Sequence, residues 1–162
     1  FSPDTTPMGA TRKAFETIAV ATVAKSAFEA IEIGYMRESD GVTMNRDRLL
    51  FDARKKALEL AKYYAPREKA KDIRLPGAGG VAALDLAVAD LKKSGKATPH
   101  DVTVSHHLAK VLTGGDKGDW TNPLTEEDIL KLELKEFMKL LKYEATLDRM
   151  EYMLDNGKPL RN

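Results

Sequence analysis

The side chains best suited to metal binding or proton transfer near neutral pH are the three histidines, His100, His106 and His107. His106 and His107 are adjacent, so on a helix they point about 100 degrees apart and cannot close on one metal as an i, i+4 pair does. One of the two faces solvent, and His100 lies a turn or more away with no carboxylate pair to complete a ligand set. All three therefore read as structural or surface histidines. Ser26 has no suitably spaced His and Asp partners, and a helix-capping role accounts for it without nucleophilic chemistry. Glu29, Glu32, Glu126 and Glu127 sit where helix starts and solvated faces place acids. Nothing in the sequence desolvates one of them enough to raise its pKa for acid or base work. No catalytic, cofactor-binding or metal-ligating residue is assigned.

Two further features have a functional and a plain reading. The run Pro76-Gly77-Ala78-Gly79-Gly80 precedes a helix, and exposed N–H groups at a helix start bind phosphate. A dinucleotide fingerprint needs a β-strand before it, however, and DIRLP is too short and too charged, so a flexible helix start is the favoured reading. Trp120, the single tryptophan, lies in a Gly- and Asp-rich loop, where docking against helices is favoured over ligand stacking. Arg67, Lys69, Lys71 and Arg74 alternate with Glu68 and Asp72 and read as a solvated loop.

The elements that must position these residues are helices. Strict alternation of apolar and polar residues is scarce, while apolar residues at helical spacing recur along the chain, so the fold is expected to be all-α with about seven helices. The first covers Met8 to about Val20, with Phe15, Ile18 and Ala19 as its buried stripe, although IAVATVA also has strand character. A short second helix opens at Ser26-Ala27-Phe28-Glu29, a capping box, and stops near Gly34. The third runs from about Asn45 to Tyr64 with Leu50, Ala53, Ala57, Leu60, Ala61 and Tyr64 on one face, and Pro66 stops it. A fourth buries Val81, Leu84, Val88 and Leu91 and ends at Gly95. The fifth has Thr98 as cap, Pro99 at its first position and Asp101 in its first turn, and buries Val104, Leu108, Val111 and Leu112. Thr125 caps a sixth with the stripe Leu130, Leu134, Phe137, Met138 and Leu141. A seventh, about Glu144 to Asp155, presents Leu147, Met150 and Leu154 before Asn156-Gly157. The expected organisation is 1–66 as a first helical region, 67–80 as linker and 81–162 as a helical bundle.

Composition excludes several classes of function. The 26 Lys and Arg nearly cancel the 25 Asp and Glu, leaving a net charge of +1 and no global field for nucleic acid or an anionic membrane. With no cysteine there is no disulfide framework, thiolate nucleophile or sulfur-dependent zinc site. No stretch reaches the roughly 18 apolar residues of a membrane helix, and no signal region opens the chain, so a cytoplasmic protein is expected. Phe1 stands where an initiator Met would, which suggests the last part of a longer polypeptide.

The stretch from Phe15 to Ala61 resembles the C-terminal part of the enoyl-CoA hydratase (crotonase) superfamily. Its pattern of small residues is Ser26, Ala27, Ala30 and Gly34, then Tyr35 and Met36, followed by a helix with Leu49, Leu50, Ala53, Ala57, Leu58 and Ala61. With RESDGVTMNRDRLLFDARKKALELA, KVLTGGD at Lys110 to Asp116 and NGKPLRN at Asn156 to Asn162, nearly the whole chain resembles the C-terminal end of bacterial bifunctional 3-hydroxyacyl-CoA dehydrogenase/enoyl-CoA hydratases of fatty-acid β-oxidation. The resemblance implies a crotonase-like helical segment followed by a small bundle, covering a hydratase core and supporting domain or subunit contacts. Its partners would be the upstream hydratase and dehydrogenase domains, with a homo-oligomer in prospect. NAD and acyl-CoA are implied for the parent protein and no cofactor for this segment, because the enolate-binding amides, the catalytic acids and the Rossmann domain would all lie upstream. The segment alone would then be inactive. Phe15, Ile18, Phe28 and Ile31 would form an apolar patch exposed by the missing core. The rival readings are a self-standing helical adaptor and an acyl-CoA-binding module.

Overall fold

The computed structural model describes residues 7–162, and its regular secondary structure there is helical. Seven α-helices follow in order: α1 (Pro7–Ala19), α2 (Ala27–Glu32), α3 (Leu49–Ala61), α4 (Gly77–Lys93), α5 (Pro99–Leu112), α6 (Glu126–Leu140) and α7 (Glu144–Asn156). Short 3-10 turns occupy Arg46–Arg48 and Gly115–Lys117. Among the described residues, extended pairing is confined to one antiparallel bridge between Ile73 and Leu124. The all-α expectation and the helix count hold among the described residues.

The chain forms two compact units: Thr22–Glu68, carrying α2 and α3, and a larger one that joins the chain up to Ala21 to Lys69–Asn162. α1, read in sequence as part of 1–66, belongs to the larger unit. Residues 77–80, at the end of the expected linker, form the first turn of α4.

In the smaller unit the Ser26 hydroxyl accepts from the Glu29 N–H at 3.1 Å, as a cap should. The return bond differs from a capping box, since the Glu29 carboxylate accepts from the Lys25 N–H and not from that of Ser26. Gly34 takes a left-handed φ of 87° and lets the Tyr35 and Met36 N–H groups fold back on the Ala30 carbonyl. The third helix begins as a 3-10 turn capped by the Asn45 side chain. Its apolar stripe is not buried: Leu50, Leu60 and Tyr64 are all exposed, and α3 has no buried residue. Periodicity marks the face that favours burial without supplying what would cover it.

The larger unit has its core where α1, α4 and α5 meet. Phe15, Leu84, Val88 and Ala109 are buried together, with Met8, Val81, Val102, Leu108 and Leu112 packed around them. Phe15 fills that core, which corrects its place in the expected exposed patch. Ile18 and Ala19 of the expected buried stripe are exposed, because the α1 face directed at α5 passes through Thr11 and Phe15, and Ile18 is exposed as its place in the apolar patch anticipates. Ile31 is half buried and Phe28 exposed, both in the other unit. Of the α4 stripe, Leu84 and Val88 are buried and Val81 is half buried, but Leu91 is exposed. Val104, Leu108, Val111 and Leu112 of α5 are half buried, and the deepest positions go to His100, His107 and Ala109.

Both N-terminal caps in this unit follow the sequence reading. Thr98 and Asp101 exchange hydrogen bonds at the start of α5, and Thr125 and Asp128 do so at the start of α6. α6 is turned differently from its apolar stripe. Leu130, Leu134, Phe137 and Met138 are exposed, and the inward face runs through Ile129, Leu132, Glu136 and Leu140. On α7, Leu147, Met150 and Leu154 are likewise exposed, and the helix ends at Gly157 with φ 63°.

Candidate functional site

α5 carries all three histidines, and each finds a partner on a different helix. His107 is buried, and its Nδ1 lies 2.6 Å from Glu136 Oε2 on α6. An ionised carboxylate only accepts, so Nδ1 carries the proton and donates. Lys139 donates to the other carboxylate oxygen from one turn further along α6. Burial pushes the Glu136 carboxyl up, but the hydrogen bonds from Lys139 and His107 outweigh it and leave the group below its ordinary value. His106, half exposed on the next position, holds Asp85 of α4 at 2.8 Å through its own Nδ1. The rings of His106 and His107 meet edge to face, with centroids 5.9 Å apart. His100 is buried and its Nε2 lies 2.9 Å from the Thr146 hydroxyl on α7. Burial and the nearby Arg149 cation lower its pKa.

These contacts tie α4, α6 and α7 to α5. Two adjacent histidines serve two neighbouring helices because about 100 degrees separates their directions. Sequence reasoning missed Glu136, the buried acid. It sits in KEFMK, where it looks like one more charge on a solvated face. The acids considered instead, Glu29, Glu32, Glu126 and Glu127, lie on helices at exposed or half-buried positions. Glu127 pairs with Lys131 at 2.7 Å.

The glycine run at the start of α4 is a packing device. Gly77 has φ 60° and donates its N–H to the Thr113 carbonyl at 2.8 Å, joining the start of α4 to the end of α5. A Cβ on Gly77 would strike the Gly118 carbonyl, and one on Gly80 would lie 2.9 Å from Thr113 Cγ2. Only Gly79 faces open space. With the Gly77 N–H engaged and no strand before the run among the described residues, this segment does not fit a nicotinamide dinucleotide. Trp120 is partly exposed, and its carbonyl accepts from Arg74 at 3.2 Å, so Arg74 braces that loop.

The larger unit carries a groove of about 1140 Å³ bounded by α1, α4, the start of α5, α7 and the C-terminal tail. The buried Phe15, Leu84 and Val88 lie behind its floor, Val20 and Leu91 contribute exposed apolar surface, and the small Ala83 and Ala87 leave it open. Its polar corner is built around Asp101. The Arg149 guanidinium is 2.9 Å from that carboxylate, Arg161 is 4.0 Å from it, and Arg161 also donates to the Lys96 carbonyl. Burial pushes the Asp101 carboxyl up, while hydrogen bonds from the Thr98 backbone and from Arg149 bring it below its usual value. Among the described residues there is no cluster of three or more potential metal-ligating side chains. Nor, among the described residues, is any helix long and apolar enough to cross a membrane.

Comparison with known proteins gives one informative match. A Bacillus subtilis (strain 168) protein described as a probable 3-hydroxyacyl-CoA dehydrogenase is 40% identical to the chain over 157 residues. The match takes in 96% of this chain but only 20% of that protein, so the chain spans about a fifth of its relative's length. No family model matches the chain, and no solved structure matches it.

Proposed function

We propose that this chain is the C-terminal helical segment of a longer β-oxidation polypeptide that joins 3-hydroxyacyl-CoA dehydrogenase to a crotonase-type enoyl-CoA hydratase. Its helices cover the hydratase core and support domain or subunit contacts. The upstream parts of the same polypeptide bind NAD and the acyl-CoA substrate, in the cytoplasm. The observation that carries this reading is the match of nearly the entire chain to one fifth of a probable 3-hydroxyacyl-CoA dehydrogenase. Exposed apolar residues support it: Leu50 and Leu60 on α3 are exposed, and so are Leu130, Leu134 and Phe137 on α6. Apolar residues exposed together on one helix face, as the spacing of Leu130, Leu134 and Phe137 places them, mark a place where another chain segment packs.

The test compares two proteins under the same conditions, the isolated chain and the natural polypeptide that contains it. Crotonyl-CoA hydration and NAD reduction with 3-hydroxybutyryl-CoA are measured for each. The natural polypeptide should catalyse both reactions and the isolated chain neither, because enolate stabilisation and hydride acceptance need groups outside it. Turnover by the isolated chain at a comparable rate would overturn the proposal. So would a natural polypeptide with neither activity, which would favour a helical adaptor.

A further inference from the structure

We propose that the groove between α1, α4 and α7 is a binding site for a free long-chain fatty acid, its hydrocarbon tail along the α1–α4 floor and its carboxylate at the cationic corner by Lys96 and Arg161. This inference does not rest on the placement of the chain in a longer enzyme. The volume, about 1140 Å³, suits a sizeable ligand. Met8, Val20, Leu91 and Leu160 line it with accessible apolar surface, and Ala83 and Ala87 repeat at i, i+4 on α4 where larger side chains would fill it.

The corner supplies the head-group preference. Arg149 and Arg161 converge there on a single carboxylate, Asp101, and Lys96, whose carbonyl accepts from Arg161 at 2.9 Å, lines the same corner. Arg149 is already engaged, with Asp101 at 2.9 Å, the Thr98 hydroxyl at 3.2 Å and the Asn162 side chain at 2.6 Å. Arg161 reaches Asp101 only at 4.0 Å and its side chain is largely exposed. No carboxylate pairs with Lys96 among the described residues. Arg12 and Glu16, on the α1 side, offset one another at 3.8 Å. The unmatched positive charge is thus local and small, which suits one carboxylate on a guanidinium fork better than the several phosphates of a nucleotide carrier.

Calorimetric titration of the 162-residue chain with palmitate, below its micelle concentration, tests this. Palmitate should saturate a single site. Ala87→Trp, at an exposed position that lines the groove, should weaken binding about tenfold or more. Lys96→Glu, on the surface and outside the core, should weaken it about fivefold at low salt. Lys55→Glu on α3 should leave it unchanged. Circular dichroism confirms that each variant is folded, and dodecyltrimethylammonium, palmitoyl-CoA and CoA serve as competing probes. Absence of saturable palmitate binding, or binding indifferent to both groove variants, would overturn the site. Equal affinity for the cationic amphiphile, or tighter binding of palmitoyl-CoA or CoA alone, would overturn the fatty-acid assignment. None of these results alters the enzyme assays above, so the two proposals fail separately.

Discussion

Replacing Glu136 tests whether the buried pair with His107 fastens α6 to α5. Glu136 is 3% exposed, and its carboxylate accepts from His107 at 2.6 Å and from Lys139. Glu136→Gln keeps the shape and an acceptor for His107 Nδ1 but removes the charge. Hydrogen bonds to charged groups contribute about 1.5–3 kcal/mol and neutral ones about 0.5–1.5, so the expected loss is about 1–2 kcal/mol. Glu136→Ala also strips the buried imidazole of its partner and leaves a gap, for an expected loss of about 3 kcal/mol. Urea titrations at neutral pH should show lower midpoints with unchanged slopes. The pH dependence follows from the lowered pKa. The folded group binds its proton less readily than the unfolded one, whose ordinary value is 4.5, so its contribution is complete above 4.5 and is lost as the pH falls through the folded value. Glu136→Gln should therefore flatten the acid limb of the stability profile. A variant as stable as the parent at neutral pH, with the same acid limb, would refute the reasoning.

Gly77 and Gly79 are two residues apart and should respond oppositely to alanine. Gly77→Ala places a Cβ against the Gly118 carbonyl at φ 60° and should cost about 2 kcal/mol or more, whereas Gly79→Ala enters open space in a helix and should stabilise by about 0.5–1 kcal/mol; thermal unfolding measures both. Amide hydrogen exchange should be slower in α5 around Leu108, which adjoins the core, than in α3, which has no buried residue, or in α2 around Ala30.

The sequence carried local information well, because caps and stops are short-range chemistry. Ser26, Thr98 and Thr125 at helix starts, and Gly34, Gly95 and Gly157 at helix ends, are where the structure uses them. Which face of each helix is covered was harder to read. Leu50 and Leu60 on α3 and Leu134 on α6 lie on faces patterned for burial, yet they are exposed in this chain. The buried residue of α6 is an acid, and only its pairing across 29 positions with His107 explains that. Neither residue type nor spacing announces such a partnership. The groove was equally hidden, since its corner joins Lys96 and Asp101 to Arg149 and Arg161, which are far along the chain.

The central claim is that these helices belong to a larger enzyme, and the mass of the natural polypeptide tests it most directly. An antibody raised against the larger unit should capture from cells of the source organism a protein several times the 17.9 kDa of this chain, with peptides of both compact units in its digest and NAD-dependent 3-hydroxyacyl-CoA oxidation in the eluate. A captured protein of about 18 kDa without that activity would contradict the account.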